Sequence, residues 1–282
     1  MTRRRAWWGW LFAAPLIALN ALVVLIPSVQ AVAFSFTDWT GIGNASFIGI
    51  DNYVAMFSDS EFLSALLHNT WWTLGFLTVP MAMGLIGAFL LSRIRRGQMF
   101  FRVSFFIPYI VASVVNASVW QTLLAPESGI GSLLDVNFLG DPKLALLSVA
   151  FVQNWSWWGF LTVIFLAAMT GVNSSLYEAA RLDGANTWHE FWHITLPAIR
   201  PTFVFLALMT VIWSFLVFDY IYILTDGGPA GSTEVLGTLL YRTAFARLEA
   251  GYAASMGVVL ALFSTVFVVG FFALRRWGRW EV

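Results

Sequence analysis

Tyr177–Pro197 reads YEAARLDGANTWHEFWHITLP. The chain on either side is mostly Leu, Val, Phe and Trp, whereas this stretch gathers Glu178, Arg181, Asp183, His189, Glu190 and His193. Two patterns overlap in it. One is His189-Glu190-x-x-His193, in which histidines at i and i+4 share a helix face and bind one zinc, with the glutamate as general base. The other is Glu178-Ala179-Ala180 followed by Gly184, Ile194, Leu196 and Pro197. Which pattern matters depends on the solvent the rest of the chain is built for.

That solvent is lipid. The 282 residues are 59% hydrophobic and only 11% charged, with mean hydropathy +0.77; soluble domains carry roughly 25% charged residues. One core of this size cannot bury so much apolar surface. Fifteen basic and fifteen acidic residues cancel, so no general attraction to nucleic acid is expected. There is no cysteine, which excludes disulfides, thiol nucleophiles and Cys-ligated metals.

Apolar runs fall at about 10–34, 70–91, 103–124, 144–169, 203–224 and 252–274. Each is near the ~20 residues of a membrane helix. No alternation of the kind an outer-membrane barrel needs is present. The predicted fold class is an all-α membrane protein with six transmembrane helices. Arg3-Arg4-Arg5 before the first run resembles a signal-peptide start, but the run is too long for an h-region and reads as an uncleaved span. Basic residues mark the cytoplasmic side. Arg3–Arg5, then Arg93, Arg95, Arg96 and Arg102, then Arg181 and Arg200, then Arg275, Arg276 and Arg279 all fall on one side of a six-span chain. Both termini and the 177–197 stretch are therefore expected in the cytoplasm. The opposite loops are acidic.

Locally the stretch reads as two short helices with a break. Leu176–Leu182 forms the first, with Glu178 and Arg181 an i,i+3 pair, and Gly184 stops it. Asn186 or Thr187 starts the second, Thr187-Trp188-His189-Glu190 fitting a capping box. Trp188, Phe191, Trp192 and Thr195 then share a face, and Pro197 ends the helix. Such an elbow is either a loop packed on its own bundle or a rigid knob that docks on a soluble partner.

The second pattern resembles the EAA loop of the permease subunits of carbohydrate-type binding-protein-dependent ABC importers: E-A-A, three residues, G, nine residues, I-x-L-P. This sequence matches without departure. Further agreement lies in Ser35-Phe36-Thr37-Asp38-Trp39, Asp51-Asn52-Tyr53, Leu224-Thr225-Asp226-Gly227-Gly228-Pro229 and Gly251-Tyr252-Ala253-Ala254. The resemblance implies a type I ABC importer permease fold, with an N-terminal helix and external loop over 1–67 and a five-helix core over 68–282. It implies that Glu178, Ala179, Ala180, Arg181, Asp183, Gly184 and Ala185 form a coupling helix against the ATPase. The implied partners are a second permease, two ATP-binding subunits and an extracytoplasmic binding protein that delivers a sugar. The implied setting is the bacterial inner membrane. The chain has no G-x-x-x-x-G-K-[ST] P-loop. It is therefore expected to be a non-enzyme subunit without a cofactor, with ATP and Mg on the partner ATPase.

A zinc protease would need a third ligand. The remaining histidine, His68, falls on the other membrane side by topology. The histidines also sit within the nine-residue gap of the EAA pattern, where they read as interfacial residues, so Glu190→Gln is expected to leave transport largely intact. A secondary carrier would show an internal repeat and midplane ionisable groups, and neither is clear. For the cargo, polar groups in spans are the first candidates. Gln153, Ser156, Trp157 and Phe160 share one helical face beside Asn154. Thr210, Trp213, Ser214 and Val217 share another. Aromatic faces with amide and hydroxyl groups suit a neutral polyol, although Trp and Ser in spans also serve as anchors and helix glue. No Lys or Arg lies inside a span, and Asp219 is the one acid there, facing the pathway or pairing with Arg242 or Arg247.

Overall fold

The computed structural model describes residues 3–94 and 96–277. Arg95 and Arg279 of the basic series lie outside the described residues, as do the side chains of Arg3–Arg5, Arg275 and Arg276. Among the described residues the structure is helical, and its one β-type pairing is an isolated bridge between Thr37 and Phe47. Helix α1 runs Arg3–Asn20, passes through a π-helical turn at Ala21–Leu25 and continues over Ile26–Phe34. Then follow α2 (Asp51–Ser58), α3 (Ser60–Ser92), α4 (Gln98–Ile110), α5 (Ser113–Leu124), α6 (Gly129–Leu134), α7 (Ala145–Thr170) and α8 (Ser174–Leu182). Helix α9 spans Thr187–Phe215, and α10 (Asp219–Leu224), α11 (Leu236–Phe245) and α12 (Ala250–Trp277) complete the chain.

Among the described residues five helices are long and apolar enough to cross a membrane, or six if a bent pair counts as one span. That pair corrects the expected straight span 103–124. The chain turns by 94° between Ile110 and Ser113, where Val111 and Ala112 are extended. Pro108 removes a donor from the last turn of α4, and the β-branched Ile110 and Val111 accept extended backbone readily. The fifth expected span, 203–224, is interrupted too: α9 ends at Phe215 and α10 begins at Asp219. Ser214 Oγ folds back on the Thr210 carbonyl at 2.7 Å, a bond that competes with the helical ladder. The Ser214 carbonyl, close to the helix end, accepts from Asn69 Nδ2 at 3.0 Å. Asn69 is fully buried, and its other side-chain atom accepts the Leu236 N–H at 2.8 Å.

The chain forms two compact units. The first comprises residues 1–62 and 240–262. Here three of the loop pieces named above knit together: Asn52 Nδ2 donates to the carbonyls of Ser35 (2.9 Å) and Thr37 (2.8 Å). Tyr53 and Ser35 hydroxyls meet at 2.7 Å, and the Gly251 N–H donates to Trp39 at 2.7 Å. A Cβ at Gly251 would overlap the Thr37 carbonyl.

The second unit comprises residues 63–239 and 263–282. Its core is Trp72, Phe76 and Met81 of α3 with Leu161, Phe165 and Leu206 of α7 and α9. Helices α4 and α7 pack closely because residue 159 is glycine: any Cβ there would overlap the Phe105 carbonyl. Gly159→Ala is thus expected to overpack this contact by about 1–3 kcal/mol and to cut the yield of monodisperse protein on heated gel filtration. Gly75→Ala adds a methyl that meets nothing within 4 Å, and should leave that yield unchanged.

Candidate functional site

The elbow is a local construction. Asn173 caps α8, its side chain accepting the Ser175 N–H at 3.0 Å. At the other end Gly184 has φ +80°, a left-handed conformation that costs a glycine nothing. It completes a Schellman stop: Ala185 N–H donates to Ala180 (2.9 Å) and Gly184 N–H to Arg181 (3.1 Å). Two residues on, Asn186 caps α9 by accepting the His189 N–H at 2.9 Å.

Glu190 does not close a capping box with Thr187, as the sequence alone suggested. Its side chain is only 3% exposed and holds two guanidinium groups. Arg181 Nε meets Oε1 at 2.7 Å, and Arg93 Nη2 meets Oε2 at 3.0 Å. Arg181 therefore reaches forward to Glu190 instead of back to Glu178. Arg93, just past the end of α3, also donates to Thr187 Oγ1 at 3.1 Å and lies 4.7 Å from the Phe89 ring. The carboxylate thus ties the end of α3, helix α8 and the start of α9 together. A side chain read as part of a cap is a buried tie.

Pro197 does not end the second helix. A π-helical turn at Phe191–Thr195 precedes it, and the Leu196 N–H donates five residues back to Phe191. The widened turn shifts the hydrogen-bond register, so Pro197 enters as the start of a new α-helical ladder and the helix continues to Phe215. Thr195 Oγ1 reaches the Glu190 carbonyl (3.3 Å) and the Tyr177 hydroxyl (3.0 Å). The same turn splits the predicted aromatic face: Phe191 and Thr195 are buried while Trp188 and Trp192 stay exposed. Leu182, at the tip of α8, is 90% exposed.

Zinc chemistry finds little support in this geometry. The His189 and His193 rings stack 5.9 Å apart, but Glu190 is committed to the two arginines. His189 Nδ1 lies 2.8 Å from Asn186 Oδ1, and His193 Nδ1 lies 3.1 Å from the His189 carbonyl. His68 Nδ1 sits 2.8 Å from the Glu234 carbonyl. Among the described residues no three His, Asp or Glu side chains group as a metal site.

The pathway candidates partly converge. Gln153, Ser156, Trp157, Trp213, Val217 and Asp219 line one cavity of about 410 Å³. Both helix interruptions open onto it, through Val111 and Ser113 on one side and Leu216 and Phe218 on the other. Trp157 and Trp213 rings lie 5.0 Å apart. Gln153 Oε1 and Trp157 Nε1 are buried without a hydrogen-bond partner. Asp219 accepts a 2.5 Å bond from Ser113 Oγ.

The remaining candidates sit elsewhere. Phe160 stacks behind Trp157 at 5.1 Å. Thr210 and Ser214 are buried in the helix packing, Thr210 Oγ1 facing Met81 Sδ at 3.9 Å. Asn154 Nδ2 lies 3.3 Å from Met83 Sδ. Sequence reasoning missed Tyr109, Ser113 and Tyr220. Tyr220 bridges Asn116 (3.2 Å) and Ser156 (3.1 Å). Pro108 was the available signal for the first two.

A bundle of apolar helices, interrupted at a polar cavity and carrying an exposed elbow, has the build of a membrane permease. The chain belongs to the binding-protein-dependent transport system inner membrane component family, whose model matches residues 80–277. That range contains both the elbow and the cavity. The chain is 35% identical to the diacetylchitobiose uptake system permease protein NgcF of Streptomyces coelicolor, over 92% of this chain and 80% of that protein. It is 30% identical to the multiple sugar-binding transport system permease protein MsmF of Streptococcus mutans, over 98% and 97%. Its fold matches a chain of a bacterial ABC transporter involved in the import of the acidic polysaccharide alginate, with TM-score 0.87 over 97% of this chain and 96% of that one, at 24% identity. It is an integral membrane protein with the type I ABC importer permease fold.

Helix α9 would be about 44 Å long at 1.5 Å per residue, well beyond a ~30 Å hydrocarbon layer; its apolar run starts at about residue 203, after Arg200, which puts Glu190 in the excess, outside the membrane-spanning segment. The bond from Arg181 holds the Glu190 carboxyl below its ordinary range, against the opposing effect of burial, and Arg93 adds to the lowering. The tie therefore contributes fully above the ordinary carboxylate pKa of about 4.3 and is lost as pH falls through the lowered folded value. Hydrogen exchange of residues 174–195, corrected for intrinsic rates, should be constant from about pH 8 to pH 5 and accelerate only below about pH 4. Removing both arginines strands a buried charge, so Arg93→Ala with Arg181→Ala should speed that exchange by about tenfold, more than Glu190→Gln alone.

Proposed function

We propose that this chain is one permease subunit of an ATP-driven importer, lining the path of a sugar through the bacterial inner membrane. The observation that carries the cargo class is the cavity's wall. Gln153 and Ser156 stand in it beside the rings of Tyr109, Trp157 and Trp213. Amide and hydroxyl groups hydrogen-bond a sugar's hydroxyls and ring faces cover its C–H surfaces, while Gln153 Oε1 and Trp157 Nε1, buried without partners here, become available when the wall opens. NgcF and MsmF, named for diacetylchitobiose and multiple-sugar transport, support the same class.

In this reading both termini and the elbow are cytoplasmic. Glu178–Ala185 docks on an ATPase subunit that holds ATP and Mg, with Leu182 as its exposed apolar tip. A second permease, a second ATPase and an extracytoplasmic binding protein complete the assembly; a structure of the alginate transporter with its periplasmic protein supports the last. The chain itself performs no catalysis. The Glu190 tie makes the elbow move as one body with the ends of α3 and α9.

Purification of the tagged chain in mild detergent tests the assembly. Mass spectrometry is expected to find a P-loop ATPase and a second six-span protein with it, and a chain that purifies alone would overturn the importer reading. Gly184→Asp is expected to abolish uptake while the assembled complex still hydrolyses ATP. Gln153→Leu should slow uptake of the cargo about three- to tenfold, the value of one hydrogen bond, with assembly intact on gel filtration.

A further inference from the structure

The wall of the 410 Å³ cavity carries one charged side chain, Asp219. No lysine, arginine or histidine lines it. The neighbours are rings and aliphatic groups: Tyr109, Trp157, Trp213, Val217 and Phe218. A single sign of charge between low-dielectric walls has a field that water screens poorly. The Asp219 side chain is accessible, and the Ser113 hydroxyl, donating to Oδ2, fixes its position at the junction of the two helix interruptions.

The similar proteins leave cargo charge open, since one named substrate is an N-acetylated disaccharide and another an acidic polysaccharide. Here the cavity chemistry differs from what an acidic sugar wants. Resting on the sugar-pathway reading above, we infer that Asp219 makes this cavity a charge filter: it admits neutral and amino-bearing saccharides and disfavours those carrying carboxylate or phosphate. A carboxylate brought beside Asp219 would meet a like charge with no cation in the wall to offset it. An ammonium or a hydroxyl would find an acceptor. Gln153, Ser156 and the rings carry no net charge, so selection by sign within this wall falls to Asp219.

The absence of cysteine from the chain gives a direct test that needs no knowledge of the cargo. Leu216 lines the cavity and is exposed, so Leu216→Cys places a single thiol there. In the assembled importer, its modification rate is measured with a cationic (trimethylammonioethyl) and an anionic (sulfonatoethyl) methanethiosulfonate. The cation-to-anion rate ratio should fall about fivefold when Asp219→Asn is added, and should be retained with Asp219→Glu. A ratio unchanged by Asp219→Asn, with the thiol still reactive, would overturn the charge filter and leave the sugar pathway standing. A thiol inert to both reagents throughout the transport cycle would overturn the pathway reading, and the filter with it.

Discussion

Hydrocarbon offers no hydrogen bonds, so every backbone N–H and C=O inside a membrane must find its partner within the protein. That constraint organises this molecule. It makes the chain helical, and it restricts where a helix is allowed to break. Both interruptions, at Val111–Ala112 and at Leu216–Phe218, occur beside the 410 Å³ cavity. Near the second break the carbonyl of Ser214 goes to Asn69, which simultaneously holds the Leu236 N–H. The segments beyond the breaks are then tied to each other: Ser113 to Asp219, Asn116 to Tyr220, and Gln121 to the Ile223 carbonyl. The outright breaks in the helices, and the polar side chains that tie their ends, collect at one place because open backbone survives in lipid only where protein or water satisfies it.

The elbow obeys a different economy. Buried ion pairs contribute little net stability, since desolvation offsets the Coulombic gain, but losing one partner is costly. The Arg93–Glu190–Arg181 group is therefore better understood as fixing an arrangement. Its three members come from the end of one long helix, from the elbow and from the start of the next long helix. Hydrophobic contacts alone, such as Phe191 edge-on to Phe89 at 4.7 Å, allow sliding; two directed bonds to one carboxylate do not.

Legibility in the sequence tracked distance along the chain. The Schellman stop at Gly184 and the start of α9 near Asn186 were readable because their determinants lie within six residues. Two starts, Asn186 and Thr187, stayed open because both side chains carry a suitable oxygen, and the cap is Asn186. Glu190 was misread because its partner Arg93 is 97 residues away. Before the fold is known, a glutamate at that spacing satisfies a capping box equally well. The helix breaks escaped notice for a related reason: hydropathy measures the affinity of a segment for lipid, not its direction, and residues 103–124 remain apolar straight through a 94° turn. The face Gln153, Ser156, Trp157 was legible from helical period. The face Thr210, Trp213, Ser214, Val217 was half legible, because Thr210 and Ser214 turn into packing against α3 and their own ladder.

Helix α9 is the one element common to both regions. Glu190 lies near its start; Trp213 lies near its end, facing the cavity. Beyond the π turn the α-helix runs on to Phe215 with Pro201 inside it, a residue that removes a ladder donor, so under the proposed function a displacement imposed on the elbow has three outlets. It flexes the π turn at Phe191–Thr195, bends the helix at Pro201 or shifts the Trp213 wall. The Thr195 hydroxyl closes the widened turn by bonding the Glu190 carbonyl and Tyr177, which opposes the first outlet. Under the proposed function this favours passage of elbow movement along α9 toward the cavity wall. In that reading the braced π turn sets the angle at which the push arrives, and it lets Pro197 sit in a continuous helix.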